Sequence, residues 1–420
     1  MTEVSPGETW FRRVVLVFGG TLMVLAIWTV SQEGVAEGLR TDWTAFDNAA
    51  SRLLGGEQIY RPWDRETESL PYLYPPYALW LALPLGLVGF LGSYVLAAGS
   101  ALAALLGGIS LLRRVAERGG VPAERSISIS TGVIAACTTG TAFSSVLIGQ
   151  YSGLYVLALG LGLWLFVNDR QALAGIALAI LVLKPNIAVA LIVVLAWSRS
   201  WRALAGFGVG AAGALASTIP LGLGVWSGFF ANVQQMADLQ ATGIVPTNKM
   251  ITFTSTVSEW TGTADTSLLA IGSWLAFTAV VGVATLVVWA PKRFAESPQR
   301  AFAIWAIFVI IANPRMFFYD GTLVIFGVLG LWSLPSGMLG ARGTRLLPFV
   351  AGALWLASWG ATFTALNGFV APLGAVLITV VAHETWRTGR RARGVDATVV
   401  SVMDRSGNFE ADQAAPPAAA

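Results

Sequence analysis

Long apolar runs separated by arginine-rich turns are the feature that most restricts how this chain can fold. Each run approaches the ~20 residues that an α-helix needs to cross the hydrocarbon core of a bilayer. The composition agrees, because 55% of the residues are hydrophobic and the mean hydropathy is +0.68. A soluble domain has no core large enough to bury that much apolar surface. The sequence therefore predicts an all-α, polytopic membrane protein with about 10–12 membrane helices.

The order of the predicted spans follows from the lengths of the runs and from the basic residues at their ends. Arg12 and Arg13 precede the first run, which is too long for a signal-peptide core and has no cleavage pattern, so we expect an uncleaved membrane helix. Residues 75–91 are apolar but short and contain Pro84, so we expect a juxtamembrane or partly inserted helix. The predicted spans are residues 14–30, 92–112, 127–147, 154–166, 203–223, 267–289, 301–312, 321–334, 347–362 and 370–381.

All arginine-rich ends fall on one side of the membrane when the spans are threaded in this order. The positive-inside rule assigns that side to the cytoplasm. The acidic, aromatic segment 39–84 and the polar segment 227–266 then form two external loops. The polar segment 387–420 begins with arginines and ends in APPAAA, so we expect a disordered cytoplasmic tail behind a membrane domain of residues 1–386.

One apolar segment, residues 172–197, carries Lys184 and Pro185 near its centre and arginines beyond both ends. A straight helix would place one of these basic ends outside, against the positive-inside rule. Two half-helices that meet at Pro185 would keep both ends in the cytoplasm, because proline removes a backbone donor and breaks a helix. The sequence leaves both arrangements open. The hairpin would direct Lys184 into a cavity, where membrane-embedded charges usually lie.

Several function classes are excluded by composition and motifs. The net charge of +3 comes from arginines at segment ends rather than from one basic patch, so no nucleic-acid partner is expected. The lone cysteine, Cys137, excludes an internal disulfide and a cysteine-built metal site. The lone histidine, His383, lies on the cytoplasmic side, and no P-loop, GxSxG or HExxH motif is present. No cofactor is indicated, and dependence on a divalent metal stays open.

The first external loop concentrates carboxylates and aromatic rings in a chain that is only 12% charged. Asp42 precedes the helical stretch WTAFDNAASRLL, and Asp47 follows one turn later as a second acidic contact or a solvent-facing side chain. Asp42 is a candidate catalytic base for an acceptor hydroxyl, and the competing interpretation is a helix N-cap. In the YLYPP segment, Tyr72 and Tyr74 would bind a sugar or a prenyl chain, or else anchor the chain at the membrane interface.

Further polar residues are predicted to meet Asp42 on the outer face. Lys184 would hold a phosphate as a point charge, with snorkelling to the interface as the alternative. Arg315 would bind the same phosphate in a bidentate manner, or else pair with Asp320. A helix-linking turn would explain Gln150 equally well, and a helix cap would explain Asp320. The other candidate substrate-binding residues are Gln150, Tyr151, Asn186, Asn248, Lys249, Tyr319 and Asp320.

Five stretches of the chain are informative together: TDWTAFDNAASRLLGGEQIY, YLYPPYALWLALPLGLV, IGQYSGLYVLALGLGLWL, LAGIALAILVLKPNIAVALIVVLAWSRSWRALAG and NPRMFFYDGTLV. Their order resembles that of glycosyltransferase family 87, bacterial membrane proteins of the GT-C superfamily. Mycobacterial members include a mannosyltransferase that uses polyprenyl-phosphate-mannose and an arabinofuranosyltransferase. The resemblance extends over roughly residues 14–334, and the order of the motifs is more specific than any one of them.

The resemblance implies a GT-C helical bundle in the plasma membrane with its active site on the periplasmic side. The donor would be a polyprenyl-phosphate-linked sugar, a hexose such as mannose or a pentose, and the acceptor an envelope lipid or glycan. The family's acidic residue in a T-D-aromatic context matches Asp42, which would be the general base. The family's K-P matches Lys184 and Pro185, beside the donor phosphate. The remaining matches are Gln150, Tyr319 and Asp320.

A second function class fits the same composition. A transporter or flippase of a lipid-linked sugar would also need many helices and a basic cavity. The carboxylate-rich external loop favours the enzyme, and so does the absence of an internal or inverted repeat in the sequence. Membrane lipids are expected partners in both cases.

Overall fold

The structure is a computed structural model that describes residues 41–62, 71–121, 134–241, 250–264, 266–335, 337–361 and 369–407, with isolated positions between residues 13 and 24. Within these ranges the chain is helical, and the one β-bridge joins Met250 to Phe317. The predicted all-α class is therefore confirmed. Most of the predicted first span, residues 14–30, lies outside the described residues.

The helices are numbered here in chain order from the first whose bounds are described. They are α1 Thr41–Leu54, α2 Leu79–Gly86, α3 Phe90–Arg118, α4 Gly140–Leu147, α5 Ser152–Phe166, α6 Gln171–Leu178, α7 Pro185–Trp197, α8 Trp201–Ala216, α9 Gly224–Ala241, α10 Phe253–Thr261, α11 Leu268–Trp289, α12 Pro291–Glu296, α13 Pro298–Ala312, α14 Thr322–Trp332, α15 Gly340–Ala357 and α16 Val370–Gly407. Short 3-10 turns occupy Pro76–Ala78, Ala179–Leu183, Ile219–Leu221, Phe318–Gly321 and Ser358–Ala361.

Three helices among the described residues are long and apolar enough to cross a bilayer: α3, α8 with its following turn, and α11. A fourth candidate is the bent pair of α4 and α5, whose axes differ by 118°. Large apolar side chains remain exposed on α11, such as Val280 at 71%, as expected for a surface that faces lipid. These features confirm a polytopic membrane protein, whereas the expected number of membrane helices stays a prediction.

Glycines set the direction in which neighbouring helices run. A Cβ on Gly108 of α3 would overlap the Val156 carbonyl of α5, and a Cβ on Gly153 of α5 would overlap the Ala101 carbonyl of α3. The residue numbers of the contacting positions increase together along the two helices, so α3 and α5 are parallel. Small residues allow this close approach, and they are common where membrane helices pack.

The segment 172–197 is a hairpin rather than a straight span. A Cβ on Gly175 of α6 would overlap the Ala203 carbonyl of α8, and a Cβ on Gly210 would contact Ala179. Helix α6 therefore runs parallel to α8. Because α8 begins directly after α7 ends at Trp197, α7 must return to the end at which α6 began. Of the two arrangements that the sequence allows, the structure contains the one that breaks at Pro185.

The hairpin and its neighbours define two ends of the molecule. Phe166 at the end of α5 packs against Phe294 and Phe302, and Trp197 at the end of α7 donates to the Leu286 carbonyl near the end of α11. We call this the arginine end, because most of the described basic residues lie there. They include Arg118, Arg170, Arg199, Arg202, Lys292, Arg293 and Arg300. The break at Pro185 lies at the opposite end, which we call the site end.

Two expectations from the sequence are corrected by the structure. The predicted span 127–147 is not one continuous helix, because the chain turns at Thr139, whose hydroxyl caps α4 by accepting from the Ala142 amide. The predicted tail is helical as far as Gly407, since α16 continues from the last span. Arginine and alanine favour helix, and the first proline of the tail stands only at residue 416. Residues 408–420 lie outside the described part of the chain.

Candidate active site

The broken helix places Lys184 at the site end. Lys184 is the last residue before α7 and has an extended backbone, with φ −125° and ψ 95°, while Pro185 occupies the first helical position. A proline is suited to that position because its missing N–H would have no partner there. The hydroxyl of Tyr77 donates to the Val182 carbonyl over 2.7 Å. This bond fixes the turn before Lys184 to the end of segment 39–84, the predicted first external loop.

A buried carboxylate holds the Lys184 ammonium. Both oxygens of Asp320 lie 2.6 Å from Lys184 Nζ, and the Tyr319 ring centroid lies 4.5 Å from the same atom. The Asp320 side chain is 1% exposed and that of Lys184 is 16% exposed. Lys184 therefore does not snorkel toward the interface, and the alternative pairing of Asp320 with Arg315 is wrong. Asp320 lies in the 3-10 turn directly before α14. This position agrees with the expectation that Asp320 stands at the start of a helix.

Gln150 lies on a tight turn between α4 and α5 at the same end. Gly149 has φ +73°, a conformation that favours glycine, and a Cβ there would lie 3.0 Å from the ring of Trp43. The Tyr74 hydroxyl donates to Gln150 Oε1, and Tyr74 packs edge-on against Tyr151 with centroids 5.8 Å apart. The YLYPP segment and the GQ turn, far apart in sequence, thus form one surface.

All eight tyrosines of the chain lie at the site end. No single motif in the sequence indicates this clustering. Burial raises the pKa of Tyr60 and of Tyr72 in the first external loop, so both remain neutral phenols and neither is a base. The hydroxyls of Tyr72 and Tyr151 are buried without a hydrogen-bond partner in the part of the chain that the structure describes. The eight are Tyr60, Tyr72, Tyr74, Tyr77, Tyr94, Tyr151, Tyr155 and Tyr319.

Helix α1 brings the acidic loop to this surface. Trp43 packs against Gly149, and Phe46 lies 4.9 Å from the ring of Tyr151 and 4.8 Å from that of Tyr74, measured between centroids. Asp42 lies in the first turn of α1, beside Trp43, although its side chain is outside the described part. Because α1 already includes Thr41, Asp42 is not its N-cap residue, so that interpretation is wrong, whereas the role of catalytic base stays a prediction. The backbone at Asp42 lies at the end that also contains Lys184.

The other predicted substrate-binding residues are distributed as follows. Asp47 accepts a hydrogen bond from Ser93 over 3.2 Å, which joins α1 to α3. Arg315 is exposed and forms no ion pair with any residue that the structure describes. Asn186 is exposed at the start of α7. Asn248 and Lys249 lie outside the described residues, directly before Met250, which bridges to Phe317.

Three contributors to this surface were missed by the motif-based predictions. Tyr77 fixes the break at Lys184, and Tyr155 is buried on α5 one turn after Tyr151. Thr141 of α4 meets Gly321, where a Cβ would lie 2.7 Å from Thr141 Cγ2. The spacing of Tyr151 and Tyr155 by one helical turn was a usable signal. Nothing in the sequence indicates that Thr141 lies beside Gly321.

Comparison with known proteins gives one match. The model of glycosyltransferase family 87 matches residues 72–317, which is more than half of the chain. No curated protein and no solved structure matches the chain. The match begins at Tyr72 and includes the GQ turn and the broken helix, and it ends three residues before Asp320. The chain belongs to glycosyltransferase family 87, and it is a membrane glycosyltransferase.

Proposed function

We propose that this protein transfers a sugar from a polyprenyl-phosphate donor to an envelope lipid or glycan on the periplasmic face of the plasma membrane. The sugar is a hexose, with mannose the first choice, or a pentose. The observation that carries the proposal is the grouping of Lys184, Asp320, Gln150 and the first turn of α1 at the site end, opposite the end that we call the arginine end. The positive-inside rule then supports an outward-facing site.

The reaction is a displacement at the anomeric carbon of the donor. The acceptor hydroxyl attacks that carbon, Asp42 takes the hydroxyl proton, and the bond to the phosphate oxygen breaks with its electron pair on the phosphate. Base catalysis by a positioned carboxylate contributes about 10²–10⁴-fold. The resulting polyprenyl phosphate carries more negative charge than the donor did. A fixed cation beside it lowers the barrier because its interaction strengthens as the charge develops.

Two cationic groups are candidates for that role. The Lys184 side chain is 16% exposed, whereas that of its partner Asp320 is 1% exposed. Arg315 is exposed on the loop before Phe317, and the Ile251 amide fixes this loop by donating to the Met316 carbonyl over 3.0 Å. A guanidinium can bind two phosphate oxygens at once.

Aromatic residues beside the proposed site supply the candidate sugar contacts. The hydroxyls of Tyr72 and Tyr151 are buried without partners in the described part of the chain, so a sugar hydroxyl that entered between these rings would give them hydrogen bonds. Phe46 is 2% exposed and packs against Tyr151, so it holds this ring in place and does not itself contact a sugar. Asp47, Asn186, Asn248 and Lys249 complete the candidate set at the rim.

The test is transfer by purified protein in lipid nanodiscs. A radiolabelled polyprenyl-phosphate mannose, and in parallel a polyprenyl-phosphate pentose, is supplied with envelope lipid extract as acceptor. We expect label in the acceptor fraction and free polyprenyl phosphate as the second product. In proteoliposomes, label that changes leaflet without reaching an acceptor would instead identify a flippase and overturn the proposal.

A further inference from the structure

The Lys184–Asp320 pair has a buried side and an accessible side. Both carboxylate oxygens of Asp320 lie 2.6 Å from the ammonium, and the carboxylate is almost completely buried. The remaining exposure of the pair belongs to Lys184. An ammonium has three N–H donors, so two directed at Asp320 leave a third that the carboxylate does not occupy.

Asp320 is itself held in a rigid turn. Its amide donates to the Phe317 carbonyl over 3.0 Å, and the Thr322 hydroxyl donates to the Tyr319 carbonyl over 2.7 Å. Gly321, the next residue, packs so closely on Thr141 of α4 that a Cβ would not fit. The carboxylate therefore has a fixed position relative to the core, and the lysine does not.

Lys184 depends on this partner for its own position. Its side chain is a flexible stem of four methylenes, and it starts from an extended residue at a helix break. Asp320 and the ring of Tyr319 are the groups that the structure places against its ammonium. Without the carboxylate, the ammonium would move over the accessible side with little restraint.

We infer that Asp320 is a positioning residue, which holds the Lys184 ammonium in place for the leaving phosphate and does not contact the substrate itself. This inference rests on the proposed function, because that function assigns Lys184 to the phosphate. It replaces direct substrate binding as the role of Asp320. Asp320 offsets the charge of Lys184, so the benefit of this cation depends strongly on a directed N–H and on its fixed position.

The neutral pair predicts how the kinetic effect divides between kcat and KM. Replacing Asp320 by asparagine removes a negative charge near the donor phosphate, so donor binding is not weakened. The ammonium loses its fixed position, and an error of about 1 Å in a catalytic group can cost about 100-fold. We therefore expect Asp320→Asn to lower kcat by about 10–100-fold, while the KM for the donor is unchanged or lower.

A readout independent of activity is the reactivity of Lys184. Acylation requires a free amine, so a lysine held by a carboxylate reacts slowly. Purified full-length protein in nanodiscs is treated with a water-soluble N-hydroxysuccinimide ester, and peptide mass spectrometry gives the labelled fraction. Lys292, exposed at the arginine end, is the internal reference. In Asp320→Asn we expect labelling of Lys184, relative to Lys292, to rise by about fivefold or more.

The control is Asp238→Asn, which makes the same chemical change on an exposed carboxylate that accepts from Gln234 on α9. Both readouts should stay at their wild-type values in this variant. The inference is overturned if Lys184 labelling in Asp320→Asn is unchanged, if kcat is unchanged, or if KM rises while kcat is retained. The last result would mean that Asp320 binds the substrate directly.

A second variant keeps the test decisive if Asp320→Asn does not fold. Asp320→Glu retains the charge and moves it by one methylene, so kcat should fall less than in the asparagine variant and labelling should stay low. A glutamate variant equal to wild type in kcat would overturn the inference. If wild-type protein transfers no sugar from the polyprenyl-phosphate donors, the proposed function fails, whereas the labelling result still reports whether Asp320 holds Lys184.

Discussion

At the scale of single residues, the site is organised by a lysine that the membrane makes costly unless it is paired. An ionisable group in an apolar membrane segment usually faces a partner or a cavity, and Lys184 has Asp320 as its partner. The sequence predicted that Lys184 would be functional, but it did not predict this partner. The two residues are 136 positions apart, and Arg315 was an equally plausible partner for the same carboxylate.

Asp42 can be tested by a substitution that removes the base and keeps the helix. Asparagine has nearly the shape of aspartate and a similar helix propensity, so Asp42→Asn should preserve α1 and the thermal stability. Asparagine cannot accept the acceptor proton, so kcat should fall by about 10²–10⁴-fold. The measurement is transfer of labelled sugar, together with donor binding by tryptophan fluorescence, which should not change. Substantial turnover in this variant would remove Asp42 from the role of base.

The pairing of Lys184 makes a distinct prediction about stability. Lys184→Met leaves the Asp320 carboxylate buried without a partner, which typically costs about 3–5 kcal/mol. The double variant Lys184→Met/Asp320→Asn removes both charges, so most of the lost stability should return. Thermal unfolding in detergent measures the stability of the single and the double variant relative to wild type. Lys292→Met is the matched control and should leave the Tm unchanged. A double variant less stable than Lys184→Met would contradict the pairing.

At the scale of elements, close packing of α6 and α8 fixes the hairpin that presents Lys184. A Cβ on Gly206 of α8 would overlap the Ala172 carbonyl, and one on Gly175 of α6 would overlap the Ala203 carbonyl. The two helices touch through their backbones at these positions. The direction of α6, and with it the position of the break, depends on this contact.

Two neighbouring glycines of α8 provide a matched test. Gly206→Ala should force α6 and α8 apart, because the new methyl group meets backbone atoms that cannot rotate away. We expect the free energy of unfolding to fall by about 1–3 kcal/mol, as is typical of overpacking. The Tm and the transferase activity should fall with it. Gly208→Ala, where nothing lies within 4 Å, should be neutral or slightly stabilising because alanine favours helix. Equal effects of the two changes would contradict the packing.

Much of the element order could be predicted from the sequence, because arginine positions and apolar lengths determine it. The break at Pro185 follows from proline chemistry and from basic residues at both ends of one short segment. The break near Thr139 could not be predicted, since it depends on α4 packing against the distant Ser358, whose hydroxyl accepts from the Gly140 amide. Side-chain pairings across the bundle were unpredictable for the same reason.

At the scale of the whole molecule, charge and chemistry are separated between two ends. Most of the described basic residues lie at the arginine end, whereas Lys184, Arg315 and all eight tyrosines lie at the site end. Arginine-rich loops remain in the cytoplasm during membrane insertion. The separation therefore links the topology of the chain to the side on which the sugar is transferred.

The orientation can be measured with cysteines introduced at each end. In a Cys137→Ser background, Glu259→Cys on α10 and Lys292→Cys on α12 each add one thiol at an exposed position outside the proposed site. We expect a membrane-impermeant maleimide to label Glu259→Cys in right-side-out vesicles, because α10 belongs to the predicted second external loop. Lys292→Cys should react only after the vesicles are permeabilised. The reverse pattern would place the site in the cytoplasm, where nucleotide sugars are present, and would remove the main reason for proposing a lipid-linked donor.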